Sequence, residues 1–290
     1  MRESFVNCLS TAGFHRMAYV EWGAADNPRV LVCVHGLTRS GRDFDVIAQA
    51  LAADYRVVCP DIVGRGKSDW LRDKSLYAVP QYCADLVTLL ARLNVDRVDW
   101  LGTSMGGLIG MALAAQPGNP IRRLILNDVG PALTAASLTR IGEYLGTAPR
   151  FDDMARAEQY VRTVSAPFGP HTDAQWRQLT EHVVRRAADG KIEFAYDPGI
   201  AQPFRADQQR GAGQGVAQDV TLWPLYDAIS CPTLLLRGEQ SDLLTPQTAQ
   251  AMSERGPRAR LVEIPGVGHA PTLMTEAQIA PVREFLLGTT

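Results

Sequence analysis

Leu101-Gly102-Thr103-Ser104-Met105-Gly106-Gly107 sets a G-x-S-x-G pentapeptide between an expected buried strand, Arg97–Leu101, and a helical run, Leu108–Ala115. As a bare pattern these letters carry little, because a Gly-rich turn whose serine merely caps a helix would show them too. The strand before and the helix after carry the weight. A tight strand-to-helix turn forces its middle residue into a strained backbone conformation. The residues two before and two after must then be small, or their side chains collide across the turn. Ser104 is thereby placed at a helix N-terminus, where free N–H groups and the helix dipole favour developing negative charge.

Outward from this turn, short β-branched runs recur at Val30–Val34, Tyr55–Cys59, Ile121–Leu126, Thr233–Leu236 and Arg260–Ile264. Several are apolar throughout, as parallel strands covered on both faces are. Helical patterns lie between them: Leu86, Leu89, Leu90 and Leu93 form one stripe, and Ile279, Val282 and Leu286 a shorter one. Strand–helix alternation of this length predicts an α/β fold with a mostly parallel central sheet flanked by helices. His15–Trp22 is expected as an antiparallel edge strand.

The alternation breaks once, between about Val129 and Ser230. Three amphipathic stretches replace it: Leu138/Ile141/Leu145, Met154/Ala157/Val161/Val164 and Trp176/Leu179/Val183. A loop-rich piece follows, Asp197–Trp223, carrying Gly211, Gly213 and Gly215. An insertion of about a hundred residues is too long for an ordinary connection. The expected organisation is a core of residues 1–130 and 231–290 with an inserted, mainly helical cap, 131–230. Such a cap would lie over the strand ends, where open parallel sheets bind ligands.

The 290 residues are 46% hydrophobic and 21% charged, the mix of a globular protein with an ample core rather than a disordered or disulfide-stapled chain. With 29 basic against 31 acidic side chains the net charge is −2, with no basic stripe, so no nucleic-acid partner is expected. Cys8, Cys33, Cys59, Cys83 and Cys231 are odd in number and lack C-x-x-C spacing, which fits free thiols in a reducing compartment better than zinc or disulfides. The N-terminus lacks the apolar core of a signal peptide, and no run approaches the length of a membrane span. A cytoplasmic protein without a membrane partner is expected.

An activated serine needs a base and a group that orients the base. His269, in Pro265-Gly266-Val267-Gly268-His269-Ala270-Pro271, follows the last strand at the same sheet edge as Ser104. His15, His171 and His182 fit structural roles. For the acid, Asp242 in the loop after Thr233–Leu236 gives the chain order Ser104…Asp242…His269 expected of a hydrolase triad. Asp128, ending Leu126-Asn127-Asp128, and Glu239 compete with it. An oxyanion formed at Ser104 needs preorganised N–H donors. Met105 N–H supplies one, and Leu37 N–H, in His35-Gly36-Leu37-Thr38, is the candidate second. His35, at the strand end against Gly36, is expected to fix that loop by hydrogen bonds rather than act as a base.

These residues resemble the α/β-hydrolases, in particular the esterase and C–C hydrolase group. His35-Gly36, Asp61-Ile62-Val63-Gly64-Arg65-Gly66-Lys67-Ser68, Gly102-Thr103-Ser104-Met105-Gly106-Gly107, Asp242 and Gly268-His269 match its motifs in order. The resemblance spans the chain except the cap. It implies catalysis by Ser104, His269 and Asp242, no metal, no organic cofactor, and a small-molecule ester bound between sheet and cap. The chain also resembles bacterial hydrolases of short-chain esters, some of which take hydroxyalkanoate oligomers or polyesters. The leading expectation is a serine carboxylic-ester hydrolase of short- to medium-chain esters, extending to such oligomers or polyesters. The alternative is a C–C hydrolase of ring-cleavage products. Ala270, where that group commonly carries Trp, speaks against it. A ligand-binding protein on a hydrolase scaffold is the non-enzymatic alternative. Arg39, beyond the oxyanion loop, is either a solvated loop residue or a partner for a substrate carboxylate.

Overall fold

The apolar runs assemble into one eight-stranded sheet in the computed structural model of the chain, which describes residues 1–203, 205 and 219–288. Its strands are β1 (Arg2–Ser10), β2 (Gly13–Trp22), β3 (Val30–Val34), β4 (Arg56–Pro60), β5 (Val98–Thr103), β6 (Ile121–Asn127), β7 (Thr233–Gly238) and β8 (Arg260–Ile264). They lie in the order β1-β2-β4-β3-β5-β6-β7-β8. All neighbours from β4 to β8 pair in parallel, while β1–β2 and β2–β4 are antiparallel.

The expectation for His15–Trp22 is corrected in one respect. That segment, in β2, is antiparallel as read, but it is not the edge. The edge is β1, in which buried Val6, Cys8 and Ser10 alternate with exposed Phe5 and Leu9. Period-two alternation covered on one face leaves no continuous apolar run to notice.

Helices cover both faces of the sheet. On one, α2 (Val79–Leu93) buries Leu86, Leu89, Leu90 and Leu93, the stripe read from the sequence, beside α3 (Met105–Ala114). On the other, α1 (Asp45–Leu51) and the C-terminal helix Glu276–Leu287 bury Ile47, Leu51, Ile279, Val282 and Leu286. A fully buried Leu or Ile contributes about 1.5–3 kcal/mol of transfer free energy, so these stripes anchor the helices. Parallel pairing brings the C-terminal ends of β3, β4, β5, β6, β7 and β8 to one edge.

Between β6 and β7 the chain leaves the sheet. The three amphipathic stretches become α4 (Ala135–Tyr144), α5 (Met154–Val164) and α6 (Asp173–Glu181). Asp153 and Thr172 cap the last two, each side chain accepting a backbone N–H of the first turn. This segment also holds a small antiparallel sheet of Arg150–Phe151, Val184–Arg186 and Ile192–Phe194. Strands of two or three residues carry no readable period, so nothing in the sequence marks them. Of the loop-rich stretch, Gly211, Gly213 and Gly215 lie outside the described residues.

Candidate active site

Ser104 joins β5 to α3 with φ 52° and ψ −115°, a left-handed conformation that a non-glycine residue holds only when its surroundings impose it. The surroundings are the small residues on either side. A Cβ on Gly102 would lie 2.2 Å from the Gly106 carbonyl oxygen, and one on Gly106 would lie 2.0 Å from that of Val34. The Ser104 N–H donates to the Asn127 carbonyl at 3.0 Å, tying the turn to the end of β6.

His269 stands on the loop after β8, its side chain 18% exposed. Ser104 Oγ donates to its Nε2 at 3.0 Å. Its Nδ1 donates to Asp128 Oδ2 at 2.7 Å. Asp128 is wholly buried just beyond β6, and its carboxylate also accepts from the Gly238 N–H at 2.9 Å and Ser241 Oγ at 2.6 Å. Three donors aimed at one carboxylate fix its position. Asn127 secures the arrangement from beneath, its Nδ2 donating to Thr103 Oγ1 and to the Pro271 carbonyl on the His269 loop.

The expectation that Asp242 orients His269 is corrected. Asp242 is half exposed, at 54%, and its Oδ1 accepts from Arg140 Nη2 at 2.9 Å on α4. The loop after β7 turns inward at Ser241 and outward at the next residue. Ser241 therefore reaches the buried carboxylate, and Asp242 faces the inserted segment. The competitor Asp128, on the neighbouring strand end, takes the place beside the imidazole. Glu239, the other competitor, accepts the Gly266 N–H at 2.8 Å.

The loop after β3 lies beside Ser104: a Cβ on Gly36 would touch Ser104 Cβ at 3.7 Å. His35 holds this loop. Its Nδ1 donates to the Gly36 carbonyl at 2.7 Å, and its Nε2 accepts the Ile62 N–H at 2.9 Å. Burial depresses its pKa to about 4, so it stays neutral and keeps one ring nitrogen as an acceptor. Arg65, fully buried, also braces the loop. Its Nε donates to the Leu37 carbonyl at 2.9 Å, its Nη1 to Tyr82 Oη at 3.0 Å, and its Nη2 approaches Met105 Sδ at 3.7 Å. The residue types around Asp61 give no sign that Arg65 points inward, so this brace is not legible in the sequence.

A cavity of about 180 Å³ opens over these groups. Ser104, His269, Gly36, Leu37 and Thr38 line it from the sheet, while Ile141, Tyr160, Val161, Phe168, Leu179 and Phe194 line it from the inserted segment. Two arginines reach it. Arg39 is held by Asp43 through two bonds of 2.7 Å, donates to the Leu179 carbonyl at 3.2 Å, and lies over the Phe168 ring. Arg140 is the other.

Away from this site, Cys8, His15 and Asp85 are the only metal-ligand type cluster among the described residues. His15 Nε2 bonds Asp85 Oδ2 at 2.9 Å and Cys8 Sγ faces the Asp85 carbonyl at 3.7 Å, so the trio is held by its own hydrogen bonds. Among the described residues, no helix is long and apolar enough to cross a membrane.

A family model described as the alpha/beta hydrolase fold matches residues 29–273. A 3-hydroxybutyrate-oligomer hydrolase of Cupriavidus necator is 53% identical over 291 residues, covering 99% of this chain and 98% of the relative. The solved structure of a protein from Rickettsia typhi superposes with a TM-score of 0.91 at 33% identity, covering 100% of both chains. That of an alpha/beta hydrolase from Novosphingobium aromaticivorans gives 0.84 at 38% identity, covering 98% of this chain and 97% of the other. With fold, strand order and extended similarity in agreement, the chain belongs to the alpha/beta hydrolase fold family.

Proposed function

We propose that this chain hydrolyses short hydroxyalkanoate oligomers, 3-hydroxybutyrate esters foremost, through an acyl-enzyme formed on Ser104. The protein is an esterase-type hydrolase. The observation that carries the mechanistic reading is the hydrogen-bonded series Ser104–His269–Asp128 beneath an apolar cavity. Similarity to the oligomer hydrolase of C. necator supports the substrate class.

In this reading Ser104 Oγ attacks the ester carbonyl while His269 Nε2 takes its proton and then delivers it to the leaving hydroxyl. Asp128 holds the Nδ1–H tautomer and stabilises the imidazolium. The N–H groups of Leu37 and Met105 receive the oxyanion, and the Arg65 brace keeps the Leu37 loop from relaxing. Water enters by the reverse route and releases the acid. Residues 131–230 act as a cap whose Ile141, Val161, Leu179 and Phe194 offer apolar contact to the methyl-bearing units of the oligomer. The five free cysteines support a reducing, cytoplasmic setting.

The test is to incubate purified protein with linear 3-hydroxybutyrate dimer, trimer and tetramer, and separately with p-nitrophenyl esters from acetate to palmitate. Release of 3-hydroxybutyrate from the oligomers, with p-nitrophenyl turnover best at short chains, is expected. Turnover of the p-nitrophenyl esters with intact oligomers would remove the substrate class from the proposal.

A further inference from the structure

The cavity is largely apolar on the inserted side, yet two guanidinium groups reach it, and they are held very differently. Arg39 and Asp43 have side chains only 12% and 20% exposed, joined by two bonds of 2.7 Å, with Leu179 as a further acceptor. Drawing Arg39 away would strand a largely desolvated carboxylate, which is costly. Arg140 and Asp242 are 40% and 54% exposed and share a bond of 2.9 Å through Nη2. An exposed ion pair of that kind is worth little, because water and salt screen it. Arg140 can therefore exchange its carboxylate partner at small cost, and Arg39 cannot.

We propose that Arg140 is the subsite for the free terminal carboxylate of the oligomer, with Asp242 as the resident counter-ion that the substrate carboxylate displaces. This inference rests on the oligomer reading above and adds the group that separates an oligomeric acid from a neutral ester. A hydroxyacid oligomer carries one carboxylate at its end and neutral esters elsewhere, so one exchangeable cation on a largely apolar wall suits it. The planar fork of arginine suits a bidentate carboxylate contact. The position also gives Asp242 a purpose that its place away from His269 leaves open: it neutralises Arg140 between turnovers and gives way to the substrate carboxylate.

The experiment measures kcat/KM for 3-hydroxybutyrate trimer and for its methyl ester, in the wild type, Arg140→Gln, Arg140→Lys and Asp242→Asn. The quantity read is the ratio of acid to methyl ester. Arg140→Gln is expected to lower that ratio at least about tenfold, through KM of the acid, as loss of a charge-assisted contact does. Arg140→Lys should restore part of it. Asp242→Asn, which removes the competing carboxylate, should raise the ratio. An unchanged ratio in Arg140→Gln, with the wild type cleaving both substrates, overturns the subsite and leaves the oligomer reading standing. A ratio that falls in Asp242→Asn as it does in Arg140→Gln identifies the pair as a structural latch, which also overturns it. A wild type that cleaves p-nitrophenyl butyrate but neither trimer form overturns the oligomer reading and the subsite together.

Discussion

Ser104 and Asp128 are both non-glycine residues in left-handed backbone, at φ 52° and 56°. Each follows a parallel strand directly, and each aims its side chain at the same imidazole. Replacing Asp128 by Asn would remove the acceptor that sets the His269 tautomer. Asp128→Asn should thus lower kcat at least about a hundredfold more than Asp242→Asn does. Steady-state kinetics on p-nitrophenyl butyrate would check this, and equal losses in the two variants would reverse the assignment. The sequence made Ser104 and His269 legible because a turn rich in glycine and a Gly-His loop leave few alternatives. It left the acid open between neighbouring strand ends. Which way a loop side chain points depends on backbone geometry, and Ser241 in, Asp242 out, has no signature in the residue types.

At the scale of elements, the β5–α3 turn depends on atoms that are missing. Gly106 packs its Cα against the Val34 carbonyl, where even a methyl group would stand 2.0 Å from the oxygen, and backbone cannot move aside as a flexible side chain can. Gly106→Ala is expected to destabilise the fold by about 2 kcal/mol or more, as overpacking does. Urea unfolding would show it as a lowered midpoint, and a midpoint equal to the wild type would contradict the contact. The long apolar runs and the leucine stripe of α2 were legible because they repeat over several turns or a whole buried strand. β1 and the short strands around Ile192 were not: one is covered on a single face, and the others are too short for any period to emerge.

On the scale of the whole molecule, parallel pairing gathers six strand ends, and residues of the inserted segment line the cavity above them. Several bonds join the two parts. Ser40 Oγ donates to the His182 carbonyl at 2.9 Å, His171 meets Thr272 Oγ1 at 2.8 Å, and the Gly66 N–H donates to the Ala195 carbonyl at 2.8 Å. The insertion was legible as a break in alternation, but its contacts were not. They join residues more than a hundred positions apart and rest largely on backbone carbonyls, which every residue offers alike. All of this geometry converges on one oxygen atom, Ser104 Oγ. Turnover of 3-hydroxybutyrate trimer by Ser104→Ala, compared with the wild type at matched thermal stability, is therefore the decisive measurement. A loss of at least about a thousandfold in kcat is predicted for removal of the nucleophile. A variant that retains a tenth of wild-type turnover would contradict an acyl-enzyme on Ser104.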